Sequence, residues 1–205
     1  RWMPKLRRCA RRAGRRFCDG PRMVPVAAPE DAARAARLEL GTRRTASRLL
    51  IGAPDPEWVL EAGPATLDLA WPVDAGQVSR GYGFVRRQAL RHRRHDGIDF
   101  SAARGTAVRA ANHGLVAYAD NGVSGFGNLV IIVHGDGSTT LYAHLQEAHV
   151  TAGQLVEREQ TIGRVGNTGL SRGPHLHFEW RKGGRPIDPA RALHRPGDEH
   201  DHAPS

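Results

Sequence analysis

The sequence predicts an all-β fold, an antiparallel sandwich or barrel-like domain over residues 71–192, with a short helical segment before it and flexible termini. Three observations carry this prediction. From Trp71 onward, strand-like apolar runs recur at short intervals. Glycine turns separate them, and 24 Gly with 13 Pro in 205 residues favour a turn-rich chain over a helical one. No strand–helix–strand rhythm interrupts the runs, which sets a parallel sheet aside.

Taken in order, residues 1–22 (RWMPKLRRCARRAGRRFCDGPR) hold nine Lys/Arg against the single acid Asp19 and read as a solvated, disordered arm. PEDAARAARLELG (29–41) predicts a helix: Pro29, Glu30 and Asp31 suit its first turn, and Gly41 suits its end. Thr42 to Leu50 predicts a second helical piece. Gly52, Pro54, Pro56, Gly63 and Pro64 then form a breaker-rich connection that reads as a linker or a wrapping segment, so residues 23–70 read as a helical and linker segment. The strand-like runs are GLVAYAD (114–120), NLVIIVH (128–134), STTLYAHL (138–145), TIGRVG (161–166) and HLHFEWR (175–181). Asp136-Gly137 between two of them predicts a hairpin. Residues 193–205 are polar and read as a disordered tail.

Composition excludes several function classes. The net charge of +9 sits almost wholly in the arm, because the rest of the chain has 21 basic and 20 acidic residues. A basic head on a near-neutral body is not a folded nucleic-acid-binding surface, so no specific nucleic acid is expected. No apolar run approaches the ~18 residues of a transmembrane helix, so no span is expected. The only cysteines, Cys9 and Cys18, lie in the arm; they allow one disulfide and leave the body without thiol chemistry. No signal-peptide core is visible, since Met23 to Ala28 is short and broken by Pro25.

Chemistry therefore rests on the eleven histidines. His200 and His202 lie in the tail and His194 beside it; His113, His134 and His149 adjoin turns or strand ends; His92 sits in the basic stretch RHRRH. That leaves His95, His144, His175 and His177. In RGPHLHFEW, strand alternation turns His175 and His177 to one face and Leu176 and Phe178 to the other. Such a face is either a metal site or a polar outer surface. His95 opens HDGIDF, and an even separation returns Asp99 to the same side; Gly97 between them permits close approach of a backbone or a substrate. An imidazole, a carboxylate and a second imidazole, from His175 or His177, make the ligand set of a catalytic zinc site with an open fourth position. His144, in LYAHL among apolar neighbours, reads by itself as structural.

HDGID, LYAHL and GPHLHFE, in that order, resemble the signature of the zinc metallopeptidases related to lysostaphin and the LytM-type peptidoglycan endopeptidases. The stretches GTAVRAANHGLVAYA, GFGNLVIIVHGDGSTTLYAHL, VEREQTIGRVGNTGLSRGPHLHFE and GGRPIDP resemble the family's hairpins and closing turn, over about 71–190. The resemblance implies a β domain of duplicated-hybrid-motif type and a Zn2+ cofactor. It implies His95, Asp99 and His177 as zinc ligands and His144 and His175 as the catalytic pair. It also implies hydrolysis of peptidoglycan stem or bridge peptides in the cell envelope, periplasmic or secreted. Glu179, two residues beyond His177 on the same face, is expected to accept the second N–H of that imidazole. Asn128 reads either as a substrate contact or as a turn residue after Gly127, and the loops 121–127 and 166–173 are expected to wall the groove. Two departures stand out. Glu159 stands where a glycine is common, which is expected to alter only a hairpin. Ala89 and Leu90 stand where the lysostaphin branch often has a tyrosine, whose role is either vacant here or passed to another residue such as Tyr82. The alternative function is a non-catalytic envelope protein that binds peptidoglycan or activates a cell-wall amidase, against which the five intact residues weigh.

Overall fold

The structure, a computed structural model, describes the backbone of residues 9–12 and 15–18, and residues 24–66, 68–84 and 94–195. In the arm, β1 (Cys9–Arg12) and β2 (Arg15–Cys18) pair antiparallel, where the sequence predicts no strand. The remainder of the arm, the side chains of Cys9 and Cys18 with the one disulfide they allow, and most of the expected tail lie outside the described residues.

Three helices follow. α1 (Pro29–Arg37) has Pro29 at its start, Glu30 and Asp31 in its first turn and Arg34 and Arg37 in its last, matching the helix dipole. α2 (Arg43–Ile51) is capped by Thr42, whose hydroxyl accepts from the Thr45 N–H at 3.1 Å. α3 (Pro56–Ala62) lies in the stretch expected to be a linker. The reason is local: Asp55 caps it by accepting from the Glu57 N–H, and Pro56 occupies the first turn, where its missing N–H costs nothing. A proline that reads as a breaker is here a starter. Gly63, at φ +71°, ends the helix.

The strands of the body are β3 (Leu69–Ala70), β4 (Gln77–Arg80), β5 (Ile98–Ser101), β6 (Ala107–Arg109), β7 (Gly114–Asp120), β8 (Asn128–Val133), β9 (Ser138–Ala148), β10 (Leu155–Val156), β11 (Thr161–Val165), β12 (His175–Lys182), β13 (Arg185–Ile187) and β14 (Leu193–His194). The main sheet runs β10-β7-β8-β9-β12-β5-β4; β11 joins the far end of β9 to β6, and β13 folds back on β12. All these pairings are antiparallel. A parallel bridge between β3 and β14 carries the folded body two residues beyond each expected boundary.

β7 and β8 read as nearly unbroken apolar runs because both of their faces are covered. One face meets a core of Phe100, Val116, Val130, Ile132, Tyr142 and Phe178. On the other, Leu115, Leu129, Ile131, Leu141 and Ala143 pack against Leu38, Ala46, Leu49 and Trp58 of the helical segment. The Trp58 indole N–H donates to the Leu38 carbonyl at 3.0 Å, so this bulky ring leaves no polar atom stranded. Residues 24–62 are therefore a layer of the core. Among the described residues no helix is long and apolar enough to cross a membrane. The helix-covered face continues sideways: Leu141 stands opposite Glu179, Ala143 opposite His177, and His177 opposite Asp99. That continuation carries the polar residues.

Candidate metal centre

Register alone brings the first groups together. β5 and β12 are neighbours, with Asp99 across from His177 and Ser101 across from His175, and alternation along β12 puts His175, His177, Glu179 and Arg181 on one face. His95 lies just before β5, and the intervening Gly97 presses against β12: a Cβ there would stand 2.1 Å from the Phe178 carbonyl oxygen. Of the two approaches Gly97 permits, backbone is the one used.

Three donor atoms converge. His95 Nε2 lies 2.9 Å from Asp99 Oδ1 and 3.1 Å from His177 Nδ1, and the last two are 2.8 Å apart. The donor atoms of a tetrahedral zinc with bonds of ~2.05 Å stand about 3.3 Å apart, so this triangle and its two-imidazole, one-carboxylate chemistry fit such an ion. Each ligand-type imidazole is held from behind. His95 Nδ1 donates to the Gly81 carbonyl at 2.9 Å, and His177 Nε2 donates to Glu179 Oε1 at 2.8 Å. Glu179 is buried and also accepts from Arg181, whose guanidinium is buried too and donates to the Leu50 and Gly184 carbonyls at 2.7 and 2.8 Å. Glu179 thus stands where the sequence puts it. Arg181 went unpredicted, although the same period of two marks it.

Burial disfavours the charged forms here, and the mutual bonds outweigh it. His177 and His95 hold the Asp99 carboxylate well below its usual range. Against the same burial, Asp99 and Glu179 raise the His177 pKa to about 9.

His144 arrives by a different route. Asn128 pairs with Leu145 and Val130 with Tyr142, so two residues of β9, Ala143 and His144, oppose the single Leu129. This bulge takes His144 off the alternation that would have sent it with Tyr142 into the inner core. Its φ is +61°, an uncommon conformation for a residue other than glycine, and its N–H donates to the Phe126 carbonyl at 2.8 Å. The ring lands 4.7 Å from that of His175 and 5.9 Å from that of His177, centroid to centroid. His144 Nδ1 donates to the Thr168 carbonyl at 2.8 Å and His175 Nδ1 to the Gly173 carbonyl at 2.9 Å. Both imidazoles therefore leave Nε2 without a proton when neutral. Burial, with the neighbouring His177 and His175, lowers the His144 pKa to about 3.

The surrounding cleft has a volume of ≈ 790 Å³ and is walled by Phe84, Arg80 and Arg94 on one side and by Gly125, Phe126, Leu170 and Arg172 on the other. The two glycine-rich loops contribute as expected; they interlock so closely that a Cβ on Gly127 would stand 2.3 Å from Thr168 Oγ1. Asn128 sits apart from the cleft. It is buried, it is absent from the cleft wall, and its Nδ2 donates to the Leu145 and Gln146 carbonyls at 3.0 and 2.9 Å, pinning β8 to β9 at the bulge. Tyr82 is also committed elsewhere, its hydroxyl donating to the Pro186 carbonyl at 2.8 Å. Ala89 and Leu90 lie outside the described residues. Thr168, whose carbonyl orients His144, had no sequence signal, because a backbone acceptor leaves none.

The profile described as Peptidase family M23 matches residues 93–189, which include all five convergent residues. A catalytic-domain variant of the prophage-encoded M23 protein EnpA from Enterococcus faecalis superposes with a TM-score of 0.54 at 30% identity, over 61% of this chain and 97% of that one. The chain belongs to peptidase family M23. Among its other relatives, it is 41% identical over 120 residues to the DD-carboxypeptidase/endopeptidase Mpg of Neisseria meningitidis serogroup B, covering 58% of this chain and 27% of that protein. It is 39% identical over 134 residues to the lipoprotein NlpD/LppB homolog of Pseudomonas aeruginosa, covering 65% of this chain and 42% of that protein. This M23 chain spans less than half the length of these curated relatives.

Proposed function

We propose that this M23 chain is a zinc-dependent endopeptidase that hydrolyses peptide cross-links of bacterial peptidoglycan in the cell envelope. His95, Asp99 and His177 would hold the ion, and His144 and His175 would serve as the catalytic pair. The observation that carries the reading is the arrangement around one point: three donor atoms within 3.1 Å of one another, flanked by two imidazoles whose Nδ1 atoms are fixed to carbonyls. A zinc ion held there supplies Lewis acidity, bringing the pKa of water down to about 7 and polarising a peptide carbonyl.

The protein does the rest. His144 and His175 each turn an unprotonated Nε2 toward the cleft, so one of them can take a proton from the attacking water and return it to the departing amine. The imidazole that takes the proton becomes a cation beside the developing oxyanion and stabilises it. Glu179 and the Gly81 carbonyl, which accept from the outer nitrogens of His177 and His95, hold the imidazoles that would bind the ion in orientation throughout. The two loops at Gly125–Phe126 and Leu170–Gly173 leave an open trough that an extended peptide can enter.

The test is digestion of purified cell walls by the zinc-loaded protein, with and without a chelator, and identification of released muropeptides by mass spectrometry. Chelator-sensitive release of peptides cut within cross-links is expected. Absence of release by zinc-replete protein overturns the reading.

A further inference from the structure

Three arginines, Arg80, Arg94 and Arg172, line the cleft beside the chelating trio. Of the acids that line it, Asp99 and Glu179 are buried and matched, and Asp96 is half-exposed beside Arg181. Asp99 sits between His95 and His177, Glu179 between His177 and Arg181, and Asp96 lies 3.8 Å from Arg181 Nη2. Arg80 reaches Asp99 Oδ2 at 3.5 Å. Among the described residues no carboxylate lies within ion-pair distance of Arg94 or Arg172, and both side chains are exposed to the cleft. Arg94 is nonetheless held in place. Its guanidinium lies 5.2 Å from the Tyr82 ring centroid and donates to the Tyr82 hydroxyl at 3.2 Å, and that hydroxyl is anchored to Pro186. Stacking of this kind fixes a planar cation without neutralising it.

The cleft therefore presents a positive field that its own acids do not cancel. An uncharged bridge peptide gains nothing from it. A peptide carrying carboxylates beside the scissile bond gains charge-assisted, two-pronged bonds from guanidinium groups and is drawn in by the field.

We propose that this cleft selects cross-link peptides bearing free carboxylates next to the scissile bond over uncharged bridge peptides, with Arg94 and Arg172 as the specificity-determining residues. This deepens the peptidase reading and rests on it. Arg80 is left out of the test because it also touches Asp99.

The experiment uses the full chain loaded with zinc and three probes: a cross-linked stem-peptide dimer with free carboxylates, the same dimer with those carboxylates converted to carboxamides, and an oligoglycine-bridged dimer. Cleavage is read as kcat/KM and binding by calorimetry. The free-carboxylate dimer is expected to be preferred by about tenfold or more, with the preference shrinking as salt rises. Arg94→Gln and Arg172→Gln are each expected to narrow the ratio and the double variant to remove it, at unchanged zinc content. Equal kcat/KM and equal binding for the free and amidated dimers overturns the inference, as does a preference that survives the double variant. Tighter binding of the free-carboxylate dimer with no cleavage of any probe keeps the charge selection and overturns the peptidase reading instead.

Discussion

Arg181 on β12 donates to the Leu50 carbonyl on α2 across 2.7 Å, which ties the strand of the metal centre to a helix outside the segment matched by the family profile. The same guanidinium holds Glu179, and Glu179 holds His177. The orientation of one imidazole thus depends on a buried charge network that crosses from the sheet into the helical layer. Removing the charge of its middle member loosens the imidazole without opening a cavity. Glu179→Gln is expected to weaken zinc binding by roughly 10–100-fold, measured by competition with a chromophoric chelator. Unchanged affinity would show that the network has no hold on the ion.

The five convergent residues divide by what their loss removes. Alanine at His95, Asp99 or His177 takes away one of three donors and is expected to abolish stoichiometric zinc and activity together. Alanine at His144 or His175 leaves the donor triangle intact and is expected to retain the metal while turnover falls by about 10²–10⁴-fold. Elemental analysis beside muropeptide digestion separates the two classes. A His177→Ala protein with a full complement of zinc contradicts the division.

Much of this centre was legible because strand alternation is a reliable ruler. Asp99, His175, His177 and Glu179 all sit on β5 or β12, and their spacing in HDGIDF and HLHFE translates directly into one face. His144 was not legible in this way. A bulge is a local slip of register that two-residue periodicity does not contain, and only the resemblance placed that imidazole at the site. The role of residues 24–62 was also hidden. An apolar strand records that both faces are buried, not what covers them, and Pro56 disguised the start of α3 as a break. The two readings of Asn128 stayed open because an amide before a strand looks alike whether it faces solvent or spends its donors on Leu145 and Gln146.

The helical layer makes a measurable claim. Leu49 of α2 has no exposed surface and packs with Ala46 and Trp58 over Leu129, Ile131 and Leu141. Leu49→Ala is expected to lower stability by about 2–5 kcal/mol, read from urea unfolding. A loss well under 1 kcal/mol would mean that the helices only rest on the sheet.

Glu159 was expected to change only a hairpin, and it occupies φ +67°, in the left-handed region that favours glycine. Its side chain is largely exposed, with Arg158 at 3.9 Å as its ion-pair partner, a contact worth little. Glu159→Gly relieves the backbone strain and concedes some chain entropy. The net expectation is a gain of up to about 1 kcal/mol, visible as a higher Tm with unchanged activity. A lower Tm refutes it.

The last prediction concerns acid. His134 is buried away from the metal centre; its Nδ1 donates to the His113 carbonyl at 2.7 Å and its Nε2 faces the Thr140 hydroxyl at 2.8 Å. Burial pushes its pKa below the ordinary value of 6.5, outweighing the His113 carbonyl and Asp136, which pull the other way. The folded protein therefore keeps this ring neutral at pH values where the unfolded chain already binds a proton. Stability is fully present above the unfolded pKa and falls as pH drops through it toward the lower folded value, with a slope approaching about 1.4 kcal/mol per pH unit. His144, displaced in the same direction, adds to the decline in wild type and variant alike, so the comparison isolates His134. Urea unfolding of chelator-treated wild type and His134→Gln between about pH 7.5 and 5 should give a less stable but flatter variant, its loss shallower by up to the proton that His134 alone takes up on unfolding. Parallel curves would mean that His134 carries the same proton in both states, and that burial does not keep the folded ring neutral.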